Sequence, residues 1–210
     1  FGPKAHDKTV FALNLCLMRA LHILGVGYSF HNFKKLPKNV PVIIISNHQS
    51  MWDIPILIWK FRAHRPKFVA KKELAKGIPS ISYNLRTGGS VSIDRKDPKG
   101  AILKIKAFAK LVKENCFAVC IFPEGTRSRD GKIKPFKVAG VKAIMDKIPE
   151  ALVVPVAIKN TGIIDNSGKF LKNISVRVEF TQLEPRLLDF NNLESELIAI
   201  NAEIKSVLES

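Results

Sequence analysis

A chain of 210 residues with 46% apolar and 25% charged side chains can bury one substantial core and is too apolar for disorder to dominate. Its 34 Lys and Arg against 18 Asp and Glu leave a net charge of +16, so partners are expected among polyanions: nucleic acid, an anionic membrane or a phosphorylated substrate. Cys16, Cys116 and Cys120 are odd in number, lie in apolar surroundings and form no CxxC, which excludes a disulfide framework in favour of buried free thiols in a reducing compartment.

The chain opens on Phe1 rather than Met, which leaves room for an upstream segment. From Val10 to Phe30 the sequence is mostly apolar, but Asn14, Arg19, His22 and the Gly25/Gly27 pair interrupt it, so it falls short of a spanning helix. At helical spacing the three polar residues share one arc of about 140°. Two readings of that stripe stand: a helix lying in a membrane interface, or one packed on a core. A polar connector over 32–39 leads to Val40 to Ile45, an apolar run suited to a buried strand. Residues 54–63 read as a helix and 67–70 as a short strand. Residues 90–93 have strand composition, and Pro98 opens a helix whose Ile102, Ile105, Ala109 and Val112 repeat at helical spacing. Phe117 to Phe122 and Leu152 to Ile158 are further strands, the second carrying a central Pro155 that suggests an edge or a bulge. Ile174 to Phe180 alternates as a later strand. Leu193, Leu197, Ile200, Ile204 and Val207 mark a closing amphipathic helix. This alternation implies one α/β domain around a mainly parallel or mixed sheet flanked by helices, preceded by a helical segment.

Three polar clusters follow strand ends: Asn47-His-Gln-Ser-Met-Trp-Asp53, Asp94-Arg95 and Glu124 to Ser128. Strands of one sense in one sheet bring such clusters to a single rim, where open α/β sheets hold their ligands. His48 is a proton acceptor, and a carboxylate at Asp53 can fix its tautomer and stabilise its protonated form. A continuous helix would set the two about 140° apart. Ser50-Met-Trp-Asp53, however, has the spacing of a helix start with Ser50 as N-cap, which leaves His48 ahead of the helix and free to curl back. The competing reading is a core histidine beside an ordinary cap. Arg95 and Arg127 are candidate phosphate forks. Gly125 permits a tight turn, and Thr126 offers a hydroxyl for capping or bonding. Two roles stand for Glu124: holding an arginine, or accepting a substrate hydroxyl. No Gly-x-Ser-x-Gly elbow, Gly-rich phosphate loop or metal-ligand spacing is present.

Residues 47–53, Gly89-Ser-Val-Ser-Ile-Asp-Arg95, Phe122-Pro-Glu-Gly-Thr-Arg-Ser128 and Val153-Val-Pro-Val-Ala-Ile158 together resemble the four ordered motifs of the glycerolipid acyltransferases, most closely the bacterial 1-acyl-sn-glycerol-3-phosphate acyltransferases. Ser92 stands where that family more usually has Phe. The resemblance implies His48 as general base, Asp53 as its orienting partner, and Glu124, Gly125, Thr126 and Arg127 as acceptor-binding elements. Arg95 would assist at the phosphate. Lys71 would stabilise oxyanion charge, with Lys72 as the competing choice. The implied reaction moves an acyl chain from acyl-CoA or acyl-carrier protein to the sn-2 hydroxyl of lysophosphatidic acid, without cofactor or metal, at the cytoplasmic face of the inner or plasma membrane. The expected division is a helical membrane-associating segment over 1–35 and an α/β acyltransferase domain over 36–210. Rival readings are an acyltransferase for glycerol-3-phosphate or another lysophospholipid, a catalytically silent membrane scaffold, and a basic nucleic-acid-binding protein. The last lacks a binding motif or an aromatic stacking series, so no nucleic acid is expected as a partner.

Overall fold

The computed structural model describes residues 2–75, 79–128, 130–165 and 175–210. Helix α1 (Pro3–Ile23) leads to strand β1 (Gly27–His31), then β2 (Val42–Ser46), α2 (Asp53–Lys60), β3 (Lys67–Lys71), α3 (Pro79–Thr87), β4 (Val91–Ile93) and α4 (Pro98–Asn115). The remainder is β5 (Ala118–Ile121), α5 (Val138–Met145), β6 (Leu152–Lys159), α6 (Thr161–Asp165), β7 (Arg177–Gln182) and α7 (Leu193–Glu209). The seven strands form one sheet in the order β1-β7-β6-β2-β5-β3-β4. Strands β2 to β6 are mutually parallel, β7 meets β6 antiparallel, and β1 runs with β7. The carboxyl ends of β2 to β6 therefore share one rim.

Side-chain alternation explains the central strand. Ile43 and Ile45 join a core built with α4, α5 and α7, while Val42 and Ile44 face a second core on the α1 and α2 side. A strand buried on both faces reads as the continuous apolar run seen at 42–45. Helix α4 starts where Asp97 accepts a hydrogen bond from Gly100 N at 2.9 Å, and it buries Ile105, Phe108, Ala109 and Val112. Leu193, Leu197, Ile200 and Ile204 of α7 pack on the same face, as their spacing predicts.

The structure departs from the sequence expectations at the N-terminus. The span 1–35 is not helical throughout: α1 ends at Ile23, and Gly27–His31 enters the sheet as edge strand β1. The break is a glycine stop, with Gly25 at φ +91°, its N–H donating to His22 O and Val26 N donating to Leu21 O. Helix α1 also turns polar residues inward. Asp7 and Asn14 are buried beside Met18 and Leu21, Asp7 pairs with Lys67 at 3.1 Å and with Arg65, and Asn14 Nδ2 donates to Val10 O. Leu13, Leu24 and Ile23 face outward, Ile23 being 85% exposed. Among the described residues no helix is long and apolar enough to cross a membrane.

Of the two readings of Pro155, edge or bulge, the structure bears out the bulge: the strand is interior, but the β7 side of the ladder is irregular beside Pro155, where Val156 pairs with Gln182 and Val153 bridges Arg186, with one extra residue between. Pro155 O accepts from Leu183 N on that side, and its missing N–H faces the same irregularity. Of the three thiols expected to be buried, only Cys120 is; Cys16 is exposed and Cys116 half-buried. The last expected strand begins at Arg177 and runs to Gln182, while Ile174 lies outside the described residues.

Candidate active site

At the carboxyl end of β2 the chain must leave the sheet without stranding polar groups. Asn47 manages this with its side chain: Nδ2 donates to Ile158 O and Oδ1 accepts from Ile158 N, both at 2.8 Å, so an amide side chain extends the pairing to β6. His48 follows at the rim. Its backbone N donates to Glu124 Oε1 and its carbonyl accepts from Ser128 N, each at 2.7 Å, so the loop after β5 grips it from both sides. The imidazole stacks on Phe122 with ring centres 4.1 Å apart.

His48 Nδ1 lies 2.7 Å from Asp53 Oδ2. The same oxygen accepts from Gln49 N at 2.9 Å and Ser50 N at 3.0 Å, while Oδ1 accepts from Thr161 Oγ1 at 2.5 Å. Asp53 is fully buried in the first turn of α2, where the helix N-terminus favours negative charge. With three donors besides the imidazole already on it, the carboxylate meets His48 as an acceptor, which favours the tautomer with the proton on Nδ1 and leaves the lone pair of Nε2 for other chemistry. Ser50 differs from the expected cap. Its Oγ accepts from Trp52 N, two residues on, and the helix begins at Asp53, whose carboxylate supplies the reciprocal bond to Ser50 N. The curl that brings His48 back to Asp53 is present, built from the backbone of Gln49 and Ser50.

Glu124 is 2% exposed. Its Oε1 takes His48 N and its Oε2 takes Lys134 N at 3.0 Å, so both oxygens meet backbone amides rather than a guanidinium. Burial pushes its pKa above the ordinary glutamate value, against the pull of those two amides. Gly125 adopts φ +72°, and a Cβ there would lie 3.4 Å from Lys137 Nζ. Thr126 is exposed beside it. Arg127 Nη1 reaches Asp165 Oδ2 at 3.4 Å, and its carbonyl accepts from Lys134 Nζ at 3.1 Å.

Lys71 and Arg95 occupy the same rim farther out. Lys71 closes β3 opposite Ile93, and Arg95 is exposed two residues past β4, with the neighbouring Lys72 paired to Asp94 at 3.6 Å. Strands are spaced about 4.8 Å apart, so β4, three places from β2, sits roughly 14 Å from the strand carrying His48. The rim thus brings His48, Asp53, Glu124, Gly125 and Arg127 together and sets Arg95 at its periphery. Sequence reasoning passed over Asn47, Gln49 and Thr161. Thr161 opens α6 three residues past the apolar run at 152–158, and no local signal marks its hydroxyl as a partner of Asp53. Among the described residues no cluster of three His, Cys, Asp or Glu is arranged to hold a metal ion.

Chemically, the arrangement is a carboxylate-held imidazole beside a basic, glycine-containing turn. Comparison with known proteins finds acyltransferases. A protein of Helicobacter pylori named 1-acyl-sn-glycerol-3-phosphate acyltransferase is 37% identical over 154 residues, which cover 71% of this chain and 61% of that protein. The chloroplastic 1-acyl-sn-glycerol-3-phosphate acyltransferase of Brassica napus is 36% identical over 150 residues, covering 69% of this chain and 41% of that protein. The chain therefore spans about three fifths of the bacterial relative and two fifths of the plant one. The crystal structure of the 1-acyl-sn-glycerophosphate (LPA) acyltransferase PlsC from Thermotoga maritima matches with a TM-score of 0.76 at 25% identity, covering 99% of this chain and 80% of that one. The Acyltransferase family model matches residues 28–159, a stretch running from β1 to the end of β6 that contains His48, Asp53 and the whole 122–128 loop, and the chain belongs to that family.

Proposed function

We propose that the protein transfers an acyl chain from an acyl thioester, acyl-CoA or acyl-carrier protein, to the sn-2 hydroxyl of 1-acylglycerol-3-phosphate, forming phosphatidic acid. The observation that carries this reading is the His48–Asp53 pair, with Nδ1 held at 2.7 Å and Nε2 left as the acceptor. His48 Nε2 removes the proton of the acceptor hydroxyl, and the alkoxide oxygen attacks the thioester carbon. The tetrahedral oxyanion collapses, the C–S bond breaks, and the imidazolium returns its proton to the departing thiolate. Both reactants occupy one complex, so the nucleophile comes with the acceptor rather than from the chain.

Asp53 holds the ring and balances the imidazolium. Glu124 acts by shaping the loop through His48 N and Lys134 N, and Gly125 lets the backbone approach the acceptor. Arg127, now on Asp165, exchanges that carboxylate for the acceptor phosphate. Lys71 and Arg95 supply cationic charge farther along the rim. The outward apolar residues of α1 and the net charge of +16 support attachment to an anionic leaflet at the cytoplasmic side, each basic residue near the surface adding about 1 kcal/mol.

The test is a panel of acceptors (lysophosphatidic acid, glycerol-3-phosphate, other lysophospholipids) against acyl-CoA and acyl-carrier protein. Phosphatidic acid formation that vanishes in a folded His48→Ala variant is the expected result. An unchanged rate in that variant overturns the mechanism, and a preference for another acceptor overturns the substrate.

A further inference from the structure

A groove of about 800 Å³ lies where β1, β7 and α2 meet, lined by Phe30, Asn32, Lys34, Lys60, Gln182 and Glu184 among others. It is separate from the catalytic rim. Lys60 ends α2, seven residues and about 10 Å along the helix from Asp53. Gln182 ends β7, opposite Val156, which in turn pairs with Ser46 of β2; two strand spacings, roughly 10 Å, therefore separate it from the strand that carries His48.

Gln182 is the anomaly. It is 2% exposed, yet neither its Nε2 nor its Oε1 has a hydrogen-bonding partner among the described residues. Buried amides are normally satisfied, because leaving both a donor and an acceptor unmade is costly. Val178, Phe180 and Gln182 alternate onto the α2 side of the sheet, so a core position of that series carries an amide where the two before it carry hydrocarbon. Beside it, Lys60 Nζ rests 4.2 Å from the Phe30 ring centre and 4.3 Å from that of Phe33, without a carboxylate in ion-pair range among the described residues. Burial and the neighbouring Arg62 both lower its pKa, the signature of an ammonium short of counter-charge. Asn32, at φ +58°, turns the chain after β1 and brings Lys34 to Glu184 at 2.6 Å across the groove mouth.

The donors and acceptors define the occupant. Lys60, Asn32 Nδ2 and Gln182 Nε2 offer N–H groups to an anion with several oxygens, with Lys34 held by Glu184 at the mouth, whereas Gln182 Oε1 can only accept, and so calls for a hydroxyl donor. We propose that this groove is a second binding site for a hydroxylated phosphate ester, distal to the catalytic rim. The inference stands apart from the acyl-transfer reading, since none of these residues touches the dyad. The ester has two possible sources, a soluble glycerol phosphate or the headgroup of a glycerol-bearing phospholipid, and they are separable.

The test measures binding of sn-glycerol 3-phosphate by calorimetry, and of phosphatidylglycerol against phosphatidylcholine vesicles by co-sedimentation, without acyl donor. Wild type, Gln182→Met and Arg127→Ala are compared. Gln182→Met is expected to melt at or above the wild-type temperature without ligand, having lost an unpaired buried amide, and to bind at least tenfold more weakly. Arg127→Ala should retain the binding, because its guanidinium lies at the other site. Gln182-dependent binding of free glycerol phosphate assigns the soluble source, and Gln182-dependent pelleting with phosphatidylglycerol alone assigns the headgroup. The proposal is overturned if neither probe binds, if Gln182→Met binds like wild type, or if Arg127→Ala alone abolishes binding.

Discussion

Replacing Thr161 with Val removes one hydroxyl from a site that has no solvent to replace it. Thr161 and Asp53 are both fully buried, and the 2.5 Å bond to Oδ1 is the one that this oxygen accepts among the described residues, whereas Oδ2 holds three. The variant leaves a carboxylate oxygen without a donor, and losing a hydrogen bond to a charged group costs about 1.5–3 kcal/mol. In a chain of this size each kcal/mol moves the melting midpoint by about 2–4 °C, so the expected fall is about 3–12 °C. Catalysis should suffer less than in His48→Ala, because Gln49 N and Ser50 N still pin Oδ2 against the imidazole. A fall in kcat of about tenfold, with little change in KM for the acceptor, corresponds to about 1.4 kcal/mol lost in the transition state. Thermal melts by circular dichroism and steady-state acyl transfer measure both effects. Thr161→Ser keeps the donor and should restore most of each. A Thr161→Val protein with the wild-type midpoint, or a Ser variant as impaired as Val, would refute the view that this hydroxyl holds the dyad's carboxylate.

Two other perturbations follow from the loop after β5. The folded pKa of Glu124 lies above its ordinary value of 4.5, so its contribution to stability is greatest below that value and is lost as pH rises through the folded pKa. Urea melts across that window should show the stability of wild type relative to Glu124→Gln declining as pH increases; a pH-independent difference would contradict the burial argument. Gly125→Ala places a Cβ at φ +72° and should cost about 1–2 kcal/mol, the penalty of the left-handed region, with the flexible end of Lys137 giving way. An unchanged urea midpoint in Gly125→Ala would show that the turn has another conformation open to it.

What the sequence determined by itself was whatever short-range periodicity encodes. Strands buried on both faces surfaced as the apolar runs at 42–45, 117–122 and 152–158, and α4 and α7 showed their buried stripes at helical spacing. The same locality made the dyad legible, because His48 and Asp53 are joined by a single turn. Contacts between distant segments were left to the tertiary structure. Edge strand β1 looked like the tail of an apolar helix because its partner, Arg177–Gln182, lies 150 residues away from it. The inward side of α1 carries Met18 and Leu21 into the core, and Asp7 joins them there only because Lys67 and Arg65, about 60 residues on, pair with it. Pro155 could enter an interior strand only because the ladder beside it carries an extra residue. Asp53 found its fourth donor in Thr161, 108 residues on, and Glu124 gave its carboxylate to the backbone of His48 across 76. Hydrogen-bond partners of buried polar groups are chosen by which strands become neighbours, and no local pattern records that choice.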